Sequence, residues 1–210
     1  MERLIENQQK IRRLVRILPL KKKITLIAGC DVAQKRGFLY ASIVLCSFPG
    51  MQLLEAHHAR KRADMPYVPG FLSYRELPVL ERAYRKLEPK PTVILVDGQG
   101  IAHPRGLGLA SHLGVVLNVP TIGCAKSHLY GRYTMPGLQR GACRHLTAAG
   151  SKIGLVLRTR DNVKPLFVSP GHRVDLQDCM RIVLAASVKY RIPEPIRWAH
   201  MTAGHRARYE

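Results

Sequence analysis

Short apolar runs, separated by Gly, Pro and charged breaks, mark this chain as a succession of strands and helices. Ile24 to Cys30 predicts a first strand ending at Asp31. Lys35-Arg36-Gly37 turns the chain, and Phe38 to Ser47 predicts a second strand. After Phe48-Pro49-Gly50, the alternating stretch Met51 to Lys61 predicts a third. Short turns between three strands make an antiparallel meander. Ser73-Tyr74-Arg75-Glu76 has the spacing of a helix start with a capping box, and Leu80, Ala83, Tyr84 and Leu87 continue an apolar face. Pro78 removes a donor from that opening turn, so the helix is expected to begin late. Val93 to Val96 follows as a compact buried strand, and a strand that returns after a helix can lie parallel to the first.

The rest of the chain follows the same logic. Leu107 to Leu117 predicts a helix, and Val119 to Gly123 another buried strand. Tyr130 to Ala149, rich in Gly, Pro and Arg, predicts irregular surface. Lys152 to Arg160 and Pro165 to Ser169 predict a hairpin around Asp161-Asn162. Asp175 to Tyr190 carries Leu176, Met180, Val183, Leu184 and Val188 at helical spacing, and Pro193-Glu194-Pro195 stops it. The tail, residues 201–210, is expected to be flexible. At the other end, Glu2 to Leu18 predicts an amphipathic surface helix with Arg12, Arg13 and Arg16 interleaved. The pattern is that of an α/β fold with a mixed sheet, a three-stranded antiparallel meander followed by parallel strands, flanked by helices. In that sheet Asp31 and Asp97 end side by side.

Composition narrows the partners. The 210 residues predict one domain over 1–210, and 46% hydrophobic residues exclude a disordered chain. Lys plus Arg number 34 against 14 Asp plus Glu, a net charge of +20. That excess points to a polyanion, nucleic acid first, although charge alone does not separate DNA, RNA and an anionic membrane surface. The five cysteines, Cys30, Cys46, Cys124, Cys143 and Cys179, are scattered and unpaired in spacing, which fits packed, reduced thiols in the cytoplasm. No signal peptide is expected, since the first twenty residues lack a long apolar core. Gly106 to Ala125 is uncharged, but its glycines, His112, Asn118 and Pro120 fit a buried helix and strand better than a membrane span.

The candidate chemistry gathers behind the Val93–Val96 run. Asp97 stands at the carboxyl end of that strand, a common site position in open α/β sheets. Gly98 and Gly100 follow, then His103, Pro104, Arg105, Gly106, Gly108 and, further on, Lys126. Glycines admit close backbone approach, and Arg, His and Lys around a carboxylate suit phosphate and metal. A pair of carboxylates suits Mg²⁺, which prefers oxygen ligands and keeps several waters. Tyr67, between Pro66 and Pro69, sits in a stiffened loop that can hold a ring against a stacked base or simply pack it.

Three blocks carry a family resemblance: VDGQGIAHPRGLGLASHLGV with PTIGCAK (96–126), MPYVPGFLSYRE (65–76), and SPGHRVDL with YRIPEPIRWAH (169–200). Together they resemble Endonuclease V, the deoxyinosine-directed repair nuclease, in order and spacing from Ile27 onward. The resemblance implies a ribonuclease H-like fold and a metal site of Asp31, Asp97, Glu76 and His200. It implies Lys126 as a catalytic cation, His103 and Arg105 in phosphate contact or support, and Pro66, Tyr67, Val68 and Pro69 as a strand-separating wedge. It also implies a base pocket of Gly70, Leu72, Gly98, Gly108, Leu109, Gly123, Ala125 and Leu129. The implied activity is Mg²⁺-dependent cleavage, with Mn²⁺ as a substitute, at the second phosphodiester bond 3′ to hypoxanthine, leaving a 3′-hydroxyl and a 5′-phosphate. The implied partner is deoxyinosine-containing DNA or, as in some relatives, inosine-containing RNA, bound by a monomer. Two other readings compete: a ribonuclease H-like nuclease selective for flaps or branches, and a binding protein whose metal site has decayed. Asp31, Glu76, Asp97 and Lys126 argue against decay.

Overall fold

The computed structural model describes residues 2–209. Eight strands form one mixed sheet: β1 (Leu26–Lys35), β2 (Phe38–Ser47), β3 (Leu53–Arg62), β4 (Val93–Val96), β5 (Thr121–Ala125), β6 (Cys143–Ala148), β7 (Ser151–Leu157) and β8 (Leu166–His172). Their spatial order is β3-β2-β1-β4-β5-β8-β7-β6. β1, β2 and β3 form the expected antiparallel meander, while β4 and β5 run parallel to β1. β8, β7 and β6 continue antiparallel. This is the ribonuclease H-like arrangement.

Among the described residues, five helices accompany the sheet: α1 (Glu2–Arg12), α2 (Leu72–Arg85), α3 (Leu109–Leu117), α4 (Leu176–Ala186) and α5 (Glu194–Tyr209). The period-2 alternation of the buried strands sorts their side chains onto two faces. Ile27, Val93, Leu95 and Ile122 pack with Cys179, Ile182 and Val183 of α4 and Ile196 and Ala199 of α5. Ala28, Ile94 and Val96 turn the other way, onto Leu77, Leu80 and Ala83 of α2 and Leu109, Ala110 and Leu113 of α3. A central sheet covered on both faces explains why β4 reads as an unbroken apolar run.

Several expectations are corrected. β1 continues through Asp31 to Lys35, because β2 pairs along its whole length (Asp31 with Ser42, Lys35 with Phe38). Only its parallel pairing with β4 stops, at Cys30 and Val96. Residues 143–148 are not irregular: they form β6, pinned on β7. α1 ends at Arg12, short of Leu18. Ser73 does not cap α2. The helix starts a residue earlier, without a side-chain cap, and runs through Pro78. The Ser73 hydroxyl bonds His112 Nδ1 at 3.0 Å instead. Residues 194–209 are helix α5, with Ile196, Ala199, Ala203 and Ala207 buried, where a stop and a loose tail were expected. Pro195 lies in the first turn of α5, where a missing backbone N–H costs nothing. The start of α5 also packs directly on the backbone of β1: a Cβ on Gly29 would lie 2.1 Å from the Pro195 carbonyl carbon. No helix among the described residues is long and apolar enough to cross a membrane.

Candidate active site

Parallel pairing of β1 with β4 sets Asp31 and Asp97 next to each other. The Asp97 N–H donates to Cys30 O at 3.1 Å, which ties the end of one strand to the other. Asp31 Oδ1 accepts from the Val32 N–H at 2.8 Å, leaving Oδ2 to meet His200 Nδ1 of α5 at 2.7 Å. Ligand atoms of Asp31, Asp97 and His200 all lie within 4.8 Å of one another. Lys126, just past β5, makes a short ion pair with Asp97 Oδ2. The Arg191 guanidinium donates to Lys126 O at 2.9 Å and Pro165 O at 2.8 Å and so fixes the backbone that carries this lysine. Arg191 lies in the quoted YRIPEP stretch, yet nothing local in the sequence marks it as a brace.

Glu76, on the second turn of α2, stands outside the tightest group but shares its field. Burial pushes its carboxyl up to about 8, Asp31 and Asp97 push the same way, and Arg75 only partly opposes them. The Asp97 carboxyl is likewise raised, by burial and then by Asp31, against the pull of Lys126. Carboxyl groups held this close resist joint ionisation unless a cation joins them. The residues therefore fit a divalent cation: two carboxylates and an imidazole converge, and a third carboxyl shares their field. Two or three carboxylates suffice for a hard cation that retains waters.

Beside this centre lies a small cleft of about 70 Å³. Of the expected pocket residues, Gly70, Leu72, Leu109 and Leu129 line it, with Tyr67 at its side. Ser73, Gln99, His103 and Leu107 line it too and were not anticipated there. Gly98, Gly108, Gly123 and Ala125 are not in the lining. A Cβ on Gly108 would fall 2.2 Å from Gln99 O, and one on Gly123 2.3 Å from Gly100 N, so both glycines serve backbone-to-backbone packing. Ala125 is buried against Leu146, Val156 and Phe167.

The loop before α2 is anchored at one point. Gly70, at φ +80°, offers a carbonyl that accepts from Gln8 Nε2 (2.8 Å), Arg105 Nη2 (2.7 Å) and His103 Nε2 (3.2 Å). His103 also accepts the Arg105 N–H on Nδ1, and burial lowers its pKa to about 4. A neutral, buried ring suits the supporting role rather than phosphate contact. The Arg105 guanidinium stacks over Phe71, 4.4 Å from the ring centre. Tyr67 itself stands 62% exposed at the loop tip, with Pro66, Val68 and Pro69 around it.

A ribonuclease H-like sheet with paired carboxylates at the end of its parallel strands, and a lysine beside them, defines a nuclease. Comparison with known proteins is specific: a family model described as Endonuclease V matches residues 9–201. The chain belongs to the Endonuclease V family. It is 42% identical over 200 residues to Endonuclease V of Dictyoglomus turgidum, covering 95% of this chain and 88% of that protein. The crystal structure of Endonuclease V from Streptomyces avermitilis superposes with a TM-score of 0.93 at 37% identity, covering 99% of this chain and 92% of that one. A Ciona intestinalis Endonuclease V variant, in complex with a 23mer DNA containing an inosine followed by a ribo-adenosine, superposes with a TM-score of 0.89. It is 26% identical, covering 99% of this chain and 96% of that one.

Proposed function

We propose that this protein is a Mg²⁺-dependent endonuclease that recognises hypoxanthine in DNA. It cuts the second phosphodiester bond 3′ to the lesion and leaves a 3′-hydroxyl and a 5′-phosphate. The observation that carries the reading is the convergence of Asp31, Asp97 and His200, with Lys126 paired to Asp97, next to a cleft flanked by Tyr67. Asp31, Asp97, Glu76 and His200 would hold the cation, which is Mg²⁺ by donor chemistry, with Mn²⁺ as a substitute. When bound, it supplies charge neutralisation at the phosphate and a more acidic water. Glu76, whose carboxyl burial holds up at about 8, would give its proton to solvent on taking part in that ligand set. Lys126 offers a compact positive charge to the phosphate or the leaving oxygen. Tyr67, held between two prolines, fills the gap left by a displaced base, and the cleft receives that base. The +20 charge supports a monomer that binds nucleic acid along its surface, and five free cysteines support a cytoplasmic setting.

The ribo-adenosine in the Ciona complex makes inosine-containing RNA the second reading of the substrate. A product map tests both. End-labelled duplexes and single strands, deoxy and ribo, each with one inosine, are incubated with Mg²⁺, and the cut is located on a sequencing gel. Cleavage of flaps or branches without regard to inosine would replace the proposal with a structure-selective nuclease.

A further inference from the structure

We propose that Gln99 is a specificity-determining residue: its side-chain Oε1 accepts the N1–H of a hypoxanthine seated in the cleft and turns adenine away. The inference rests on the functional reading above, in which hypoxanthine is the target base. Gln99 lines the cleft and is only 8% exposed. Its Nε2 donates to Ser127 O at 3.1 Å. A carbonyl oxygen can only accept, so this bond fixes which end of the amide is nitrogen. The other end, Oε1, is fully buried and has no hydrogen-bond partner among the described residues. A buried amide oxygen left unpaired is costly, and native proteins rarely keep one without a use.

The frame around Gln99 is rigid. Its own carbonyl accepts the Ala110 N–H at 3.0 Å. Gly108 packs against that carbonyl and Gly123 against the carbonyl carbon, both too closely for a Cβ. The neighbouring walls are Leu72, Leu109 and Leu129, which offer nothing polar in their side chains. The polar side chains of Ser73 and His103 that also line the cleft are already engaged, with His112 and with Gly70 and Arg105. Among the described residues the Gln99 amide oxygen is thus the buried side-chain acceptor of this wall left unpaired, and such a group fixes the orientation of a ligand.

Base chemistry then selects the ligand. Hypoxanthine presents an N1–H donor beside its O6. Adenine presents a lone pair at N1, which would face Oε1 and leave both acceptors unpaired. A site built to hydrogen-bond a donor rejects an analogue that lacks it more strongly than any apolar wall can. Guanine also carries N1–H, so Gln99 does not exclude it; the 2-amino group must be refused elsewhere in the cleft. Gln99 thus separates hypoxanthine from adenine, the base from which it forms by deamination.

The test measures binding to single-stranded oligonucleotides by fluorescence anisotropy in EDTA, so that nothing is cut. The oligonucleotides differ at one position only: hypoxanthine, adenine, 1-deazaadenine or an abasic residue. Gln99→Leu should weaken binding to the hypoxanthine probe by roughly 10- to 100-fold, the size of one lost bond to a buried group, with the abasic probe unchanged and the adenine probe bound no more weakly than by the wild type. Equal losses on all probes would overturn the proposal and leave Gln99 as a brace for Ser127. Should the variant not fold, the wild-type protein still decides. It should bind 1-deazaadenine, in which C–H replaces the N1 lone pair, more tightly than adenine, and equal or weaker binding would overturn the proposal. A wild-type protein with no preference for hypoxanthine over adenine would sink the functional reading itself, and this assignment with it.

Discussion

Single residues set the pH and metal behaviour of the site. The Glu76 carboxyl is raised from 4.5 to about 8, so its contribution to stability is fully present below pH 4.5 and is lost as pH rises through 8. The metal-free protein should therefore lose stability across that window, and Glu76→Gln should flatten the loss. Melting temperatures in EDTA from pH 4.5 to 9 for both proteins check this; parallel curves would contradict it. Asp97→Asn should reduce cleavage by more than the roughly 10²–10⁴-fold of an ordinary acid–base deletion, with DNA binding retained. Single-turnover cleavage and gel-shift affinity, measured side by side, decide that case. Lys126→Ala should lower the rate by about 10²–10³-fold, because it removes one electrostatic stabiliser. Full rescue by raised Mg²⁺ would instead make Lys126 a support of the metal site.

Elements place those residues, and they do so through backbone contacts. His200 reaches Asp31 only because α5 lies against β1 at Gly29, where no side chain fits. Gly29→Ala should push α5 outward and destabilise the protein by about 1–3 kcal/mol, with loss of cleavage. Gly98→Ala makes a sharp control, since its Cβ would meet Leu109 at an ordinary 3.5 Å. Denaturant unfolding of both variants gives the comparison, and equal stabilities would contradict the packing argument. The loop before α2 behaves as a unit as well. Gln8, His103 and Arg105 pin it at the Gly70 carbonyl, while Tyr67 stays exposed at its tip. Base–aromatic stacking is worth about 1–3 kcal/mol, so Tyr67→Ala should impair cleavage of duplex substrates more than single-stranded ones. Equal losses on the two would mean that Tyr67 does not separate strands.

At the scale of the whole molecule, the +20 charge should govern affinity rather than choice. Binding to any duplex should weaken with salt, with a log–log slope of about −0.9 per phosphate contacted. Preference for inosine should persist across the titration, because phosphate contacts position and base contacts specify. Anisotropy titrations of inosine and control duplexes at several salt concentrations report both quantities, and a preference that fell in parallel with affinity would contradict this division.

Much of this was legible in the residues alone, where the information is local. Apolar period and β-branched content marked β2 and β4 to the residue, because a strand buried on its faces must spend consecutive positions on the core. The long VDGQGIAHPR and PTIGCAK motifs named the site's two ends, Asp97 and Lys126. Tertiary structure decided whatever depends on a partner far along the chain. Asp31 and His200 are 169 residues apart and meet at 2.7 Å, which no local pattern encodes. Ser73 and Glu76 have capping-box spacing, yet Ser73 was drawn to His112, and Glu76 was left to the field of two aspartates. Pro195 looked like a stop and proved to be a first turn, because only the packing of α5 on Gly29 shows on which side of the proline the helix lies. Polar β6 showed no strand period, because it is the last strand of the sheet, with β7 along one side and a single bridge from Arg132 to Thr147 besides. The sequence determined the buried strands and the candidate reactive residues; the fold determined β6, α5 and which residues share one site, since proximity across a sheet is set by register and not by spacing along the chain.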